Sequence, residues 1–169
     1  MQTKDAIQFA LTLSNGAVLS VIDEMDGAPT TFPTPNGGCH PLWVLGHLTL
    51  VEGTIPSIFF GDKNPVAEWQ QYFGENSEPV ADASAYPPFA EVREKYLQLR
   101  EQNLKLLESL SDVDLDQPTK VPPKGREREF ATYGRSFLTL ALHQVMHRGN
   151  VTDARRAAKG ARLAAHAAI

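Results

Sequence analysis

The stretch Leu138–Asn150 reads LTLALHQVMHRGN and predicts an α-helix with one face turned toward a core. His143 and His147 are four residues apart, so their imidazoles project from the same side of a helix, one turn above the other. Leu140 and Val151 continue that side as an apolar stripe. Two imidazoles at this spacing can close on one metal ion, but a metal needs further ligands from elsewhere in the chain.

Three other stretches show the same helical period of apolar residues. The four predicted helices cover residues 3–25, 41–60, 89–110 and about 132–159. The loops between them are polar or rich in proline and glycine, and Glu68–Phe73 forms an island that predicts one short helical turn. No stretch alternates with the period of a β-strand. The pattern predicts an all-α four-helix bundle that forms one domain over residues 1–169.

A few residues set the predicted helix boundaries. Pro41 stands at the first helical position, where proline is favoured because its missing N–H is not needed. Pro56 should kink or end that helix, since it removes a backbone donor and clashes with the preceding turn. Thr132 is the predicted N-cap of the last helix. Gly160 is a stop signal, after which residues 161–169 would form a frayed extension or a short tail.

The composition limits the class of protein. The 169 residues are 42% hydrophobic and 21% charged, as in a soluble globular protein. Cys39 is the only cysteine, so no disulfide can form within the chain, and a reducing cytoplasm is expected. The first residues lack the pattern of a secretory signal, and no apolar run approaches the length that spans a bilayer. A net charge of −4 argues against a nucleic-acid binder.

Basic residues are concentrated at the end of the sequence. From Arg148 to Ile169, five basic side chains stand against the single acidic residue Asp153. Cations near the C-terminus of a helix complement the helix dipole. This interpretation is favoured over a binding patch for an anionic ligand, because charge runs usually mark solvated faces.

His47 lies in the middle of the apolar stripe of the second helix. If that helix neighbours the last one, the ring nitrogens of His47, His143 and His147 converge inside the bundle. Three imidazoles leave a metal with an open position for solvent or substrate, as in catalytic sites. They suit zinc, nickel, copper or iron(II). The alternative interpretation is that all three are buried histidines whose hydrogen bonds shape the core.

Other polar residues near these histidines receive weaker predictions. Cys39 precedes the second helix, whose dipole would lower the thiol pKa, although a lone cysteine in a glycine-rich loop is more often incidental. His40 precedes a proline and is therefore pushed out of helical geometry, so a role as a fourth ligand is not expected. For Glu52, a solvated surface position is favoured over a role beside the ligands. Gln144 and Arg148 are expected to cap, pair or face a partner.

Two motifs resemble the DinB/YfiT-like family of metalloenzymes: HPLWVLGHL, which begins at His40, and HQVMHRGN, which begins at His143. The resemblance extends over nearly the whole chain and includes PNGGC before the first motif and LSDVDLDQP before the last helix. It implies a bundle of up-down-down-up topology in which His47, His143 and His147 bind a divalent metal. The family often has Gln after its Arg-Gly pair, where this chain has Asn150, which keeps the amide chemistry.

The resemblance also implies a function. Characterised members of the family transfer low-molecular-weight thiols, such as bacillithiol or mycothiol, onto electrophiles, and a related enzyme is a mycothiol-dependent isomerase. A metal-dependent transferase with zinc, nickel or iron and a small-molecule substrate is therefore expected. Metal-dependent hydrolysis is the enzymatic alternative, and a non-catalytic stress or interaction protein whose metal ties two helices together is the other class. Relatives often pair their bundles, which implies a homodimer.

Overall fold

The computed structural model describes residues 2–25, 28–32, 34 and 38–167, without the side chains of 162–167. Within these ranges the protein is all-helical, with five α-helices and no strand. The helices are α1 (Thr3–Asp23), α2 (Pro41–Phe60), α3 (Gln70–Phe73), α4 (Phe89–Ser109) and α5 (Tyr133–Ala167). An isolated bridge between Pro118 and Thr132 is the one β feature in the same ranges. The prediction of an all-α fold is confirmed.

Pro56 does not end α2, which continues to Phe60. Because proline lacks an N–H, the carbonyl of Glu52 one turn earlier loses its helical donor. The side chain of Asn103 on α4 replaces that donor, since its Nδ2 donates to the Glu52 carbonyl at 3.0 Å. A tertiary contact thus compensates for the proline, which is why the helix persists.

The start of α5 agrees with the prediction and its end does not. The Thr132 hydroxyl accepts a hydrogen bond from the backbone N–H of Arg135 at 3.3 Å, as expected of an N-cap. Gly160 lies inside α5, which extends to Ala167. Glycine ends a helix where it turns left-handed, whereas Gly160 stays helical and is followed by alanines, the strongest helix formers. Residues 168–169 of the predicted tail and 35–37 of the family motif lie outside the described residues.

The long helices pack in neighbouring pairs around two apolar clusters. α1 packs mainly against α5, and α2 packs against both α4 and α5. One cluster contains Leu48 of α2 and Val151 of α5, and the other contains Ile55 of α2 and Leu140 of α5. On α5 the two candidate histidines lie between the residues of the two clusters, and on α2 His47 directly precedes Leu48 of the first cluster.

Two helices meet a length and hydropathy criterion for membrane spans, although the sequence analysis expected no apolar run of that length. α1 and α2 each contain an 18-residue window with a mean hydropathy of 1.3. A helix that packs inside a protein meets the same criterion. In α2, 78% of the window is buried against the rest of the chain, compared with 33% in α1. The apolar side chains of α2 are thus accounted for by the core.

Candidate metal centre

His47 is held in one orientation by its surroundings and is 6% exposed. Its Nδ1 lies 2.8 Å from the backbone carbonyl of Phe73, the last residue of α3. A carbonyl can only accept, so Nδ1 carries the proton and Nε2 keeps a free lone pair. The Phe73 ring packs against Gly46, where a Cβ would clash with it, and the Trp43 ring stacks on the imidazole with centroids 4.9 Å apart. Contacts within the protein therefore set both the tautomer and the direction of His47.

α5 brings His143 and His147 to the same place. The Nε2 atom of His143 lies 3.3 Å from Nε2 of His47 and 3.0 Å from Nε2 of His147. One ring nitrogen from each of the three histidines lies within 4.8 Å of the others. Two nitrogens that bind one ion at about 2.0–2.2 Å, with about 90–110° between their bonds, lie roughly 3.0–3.5 Å apart. The predicted convergence of the rings is confirmed, and both distances to His143 fit a shared ion.

The protonation states of the rings also fit a metal. Burial is the largest cause that lowers the pKa of His143 to about 3 and of His147 to about 4. Burial likewise lowers the pKa of His47. All three rings are therefore neutral at pH 7, which is the form that binds a metal. The Nδ1 atoms of His143 and His147 are buried and have no hydrogen-bond partner among the described residues, so Nδ1 of His47 alone has a protein acceptor there.

A cavity of about 340 Å³ opens beside the histidine group. His47 and His143 form part of its wall. Arg126 and Glu75, which form an ion pair with a 3.2 Å separation, also line it, and both are half-exposed or more. Lys124 adds a second positive charge to the lining. Two of the three histidines thus face a space that can hold a small molecule.

We expect the metal-free protein to lose stability as the pH falls from 7 to 5. A histidine in the unfolded chain has a pKa near 6.5, whereas the folded values of His143 and His147 are about 3 and about 4. The unfolded state therefore binds more protons in this range, and the free energy of unfolding decreases as the pH falls through 6.5. The loss is about 2 kcal/mol after allowance for solvent screening of two half-buried rings.

Urea unfolding in the presence of a chelator measures this pH dependence. The control is the double variant His143→Gln/His147→Gln, which cannot take up these two protons. Its stability should change less between pH 7 and pH 5 than that of the wild type. An equally steep loss in the double variant would assign the effect to other groups.

Cys39 and His40 do not join the histidine group. Cys39 is half-buried, and burial raises the pKa of its thiol, so the predicted lowering by the helix dipole is wrong. His40 caps α2: its Nδ1 accepts from the backbone N–H of Trp43 at 3.1 Å, and its Nε2 donates to the Val80 carbonyl at 2.9 Å. Both of its nitrogens are therefore occupied within the protein, which agrees with the expectation that His40 is not a fourth ligand.

Glu52 departs furthest from its predicted surface position. It is 1% exposed instead of solvated, and its Oε1 lies 2.7 Å from Nη2 of Arg100, itself 3% exposed. Gln144 is 1% exposed and pairs with other side chains, as expected. Arg148 donates from Nε to the Ala17 carbonyl at 3.1 Å. The basic residues of the C-terminal segment described here thus serve, in part, to hold α5 to α1.

Two features of the site carry no signal in the sequence: the backbone acceptor of His47 and the Arg126–Glu75 ion pair. The Phe73 carbonyl that orients His47 is a backbone group, and no residue type signals such a role. Arg126 and Glu75 come from separate irregular segments, which the sequence shows only as polar loops. Both depend on how distant segments fold over the cavity.

The fold and the site together define an all-helical protein with a three-histidine group that could hold a divalent metal. A family model described as the DinB superfamily matches residues 10–151. The chain therefore belongs to the DinB superfamily, and the matched span contains His47, His143 and His147. A comparison with curated proteins found no match.

Proposed function

We propose that the protein is a metal-dependent enzyme in which His47, His143 and His147 hold one divalent ion, with zinc, nickel or iron as candidates. The observation that carries this proposal is the convergence of three neutral imidazoles, two of which, His47 and His143, line a cavity. The histidines form the group without a carboxylate or thiolate among the described residues. Three protein ligands with an adjacent cavity are typical of catalytic metal sites, whereas structural sites are closed by a fourth.

The substrate that we propose first is a low-molecular-weight thiol, which would be transferred onto a small electrophile. A bound divalent ion supplies Lewis acidity that lowers the pKa of a neighbouring thiol or water. The residues of the chain would bind and orient the reactants, with Arg126 and Lys124 facing an anionic group and Gln70 offering an amide. The thiol would lose its proton to solvent and its sulfur would form a bond to a carbon of the electrophile, while the bond from that carbon to the leaving group breaks and the leaving group departs with the electron pair. The choice of a thiol rests on the resemblance of the two histidine motifs to the DinB/YfiT-like family.

Activity of metal-loaded protein tests the proposal. The protein is stripped with chelator and reloaded separately with zinc, nickel and iron(II), then assayed with thiols and a chromogenic electrophile. We expect turnover that depends on metal and on thiol, and that is lost in His143→Ala. Turnover of ester or amide substrates without any thiol would favour hydrolysis. Metal binding without turnover of either kind would favour the non-catalytic class.

We also propose that the long helices form one bundle domain with up-down-down-up topology. Between α1 and α5, the numbers of contacting residues rise together, so these two helices run parallel. Between α2 and α5, and between α1 and α4, one number rises as the other falls, so each of these pairs is antiparallel. The contacts that support this order are Ser14–Gln144, Ala17–Arg148, His47–His143, Phe59–Tyr133, Lys4–Glu108 and Asn15–Tyr96. A cytoplasmic location and the absence of nucleic-acid or membrane partners stay predictions.

A homodimer is the assembly that we propose, through an exposed apolar face on α1 and α5. The face consists of side chains that are 41% to 72% exposed: Phe9, Leu13, Leu138, Leu142, Val145 and Met146. These side chains expose on the order of 700 Å², close to the ~800 Å² that each partner contributes to a standard interface. α1 carries no charged residue from Ala6 to Ile22, so a large part of this surface lacks the charges that oppose association.

Sedimentation of charge variants tests the dimer. The double variant Leu142→Glu/Met146→Glu should be monomeric at concentrations where the wild type is a dimer, because two buried carboxylates cannot be solvated in the interface. Val113→Glu is the control, since Val113 is 74% exposed but lies outside the face. A wild type that sediments as a monomer at micromolar concentrations, or a double variant that stays dimeric, would contradict the proposed interface.

A further inference from the structure

A network of buried polar side chains joins the four long helices next to the histidine group. Its members are each 3% exposed or less and are Ser14, Glu52, Tyr96, Arg100, Asn103 and Gln144. Polar groups in a core cost free energy unless they are hydrogen-bonded, so a connected set of this size requires a compensating arrangement. We call this set the buried network.

Gln144 is the centre of the buried network. Its Oε1 accepts a hydrogen bond from the Ser14 hydroxyl on α1 at 2.6 Å. Its Nε2 donates to the Tyr96 hydroxyl on α4 at 2.8 Å and to Oε1 of Glu52 on α2 at 3.4 Å. The Gln144 side chain on α5 therefore contacts all three other long helices. Its amide can make these hydrogen bonds together only when the helices keep a fixed distance from one another.

Glu52 is held in place from α4. Its Oε1 forms the ion pair with Arg100, and its Oε2 accepts from Nδ2 of Asn103 at 2.7 Å. The same Nδ2 also donates to the Glu52 backbone carbonyl that Pro56 leaves free. The carboxylate that Gln144 meets is thus fixed in position by two side chains of α4.

The buried network and the histidine group link the same two helices. Glu52 follows His47 by five residues on α2, about 7.5 Å along the axis, and Gln144 directly follows His143 on α5. The Glu52–Gln144 contact is therefore a second α2–α5 link within about one and a half turns of the His47–His143 contact. A relative shift of these helices would change both links together.

We propose that Glu52 and Gln144 are positioning residues for the metal centre. Their contact holds α2 and α5 at the separation at which His47 can share one ion with His143 and His147. This inference rests on the proposed function, because it assumes that the histidine group binds a metal. Neither residue belongs to the histidine group; each would act through the helix that carries a candidate ligand.

Zinc affinity of the folded protein tests this proposal. Gln144→Met replaces the amide with an apolar side chain of similar length and should raise the zinc dissociation constant roughly 10- to 100-fold, the range found for residues that support metal ligands. Ser14→Ala is the matched control, because it removes one hydrogen bond of Gln144 but leaves the Glu52–Gln144 contact. Its stability should fall while its zinc affinity stays within about threefold of the wild type. Competition with a chromophoric chelator measures each constant, and circular dichroism confirms that each variant is folded.

Glu52→Asp provides a second variant if Gln144→Met does not fold. It retains the negative charge beside Arg100 but withdraws the carboxylate from Gln144, and it should also weaken zinc binding. Wild-type affinity in a folded Gln144→Met or Glu52→Asp variant would overturn the positioning role while leaving the three-histidine site intact. An equal loss of affinity in Ser14→Ala would reduce the role to general stability and also overturn the proposal. A wild type that binds no zinc would refute the metal site itself and the inference with it.

Discussion

The Glu52→Ala variant is expected to lose about 3–5 kcal/mol of unfolding free energy, which is enough to unfold a marginally stable domain. Arg100 is 3% exposed, and its Nε and Nη1 have no hydrogen-bond partner among the described residues. Its charge is therefore compensated chiefly by Glu52, whose Oε1 lies 2.7 Å away. Removing one member of a buried ion pair leaves an uncompensated charge in the core, which costs more than the pair itself contributes. Urea unfolding followed by circular dichroism measures the loss.

The double variant Glu52→Leu/Arg100→Met separates the cost of the orphaned charge from that of lost packing. It removes both charges and restores apolar volume, so most of the stability should return. Lys105→Ala is an exposed control: its ion pair with Glu101 joins side chains that are 69% and 67% exposed, and such pairs contribute about 0–1 kcal/mol. A Glu52→Ala protein with nearly wild-type stability would show that Arg100 finds compensation elsewhere.

His143→Ala is expected to abolish specific metal binding, with a loss of at least about 100-fold in zinc affinity. His143 is the central member of the histidine group, because its Nε2 lies 3.3 Å from that of His47 and 3.0 Å from that of His147. A ligand that binds only the folded state stabilises it by about 2.7 kcal/mol at one hundred times its dissociation constant. Zinc should therefore raise the melting temperature of the wild type and leave that of His143→Ala unchanged. His147→Ala should lose most of the same shift.

The metal-free wild type should remain folded in this experiment, because both apolar clusters are complete without an ion. His40→Asn is the control, since asparagine can still cap α2 and the histidine group is left whole. Its zinc-dependent shift should match that of the wild type. A shift that survives in His143→Ala would place the metal elsewhere, and an unfolded metal-free wild type would favour a structural role for the ion.

The positions of the long helices and the identity of the candidate ligands follow from the sequence, because both depend on spacing within one helix. Four residues between His143 and His147 place their rings on one face in any α-helix, and the apolar stripe around His47 predicts a core-facing ring. Membership of the DinB superfamily agrees with the motifs at these positions. The metal itself and its chemistry stay predictions.

The partners of the buried polar groups were decided only by the tertiary structure. Glu52 appears in the sequence as a charged residue that water should solvate, and its burial is possible because Arg100, Asn103 and Gln144 reach it from 48 to 92 positions away. α2 continues beyond Pro56 because Asn103 donates the hydrogen bond that the Glu52 carbonyl would otherwise lack. A periodic pattern records which face of a helix is apolar, but it carries no information on which distant donor will meet a buried acceptor. That pairing exists only once the helices are packed. Packing also brings the Phe73 carbonyl to Nδ1 of His47, and this contact orients the ring.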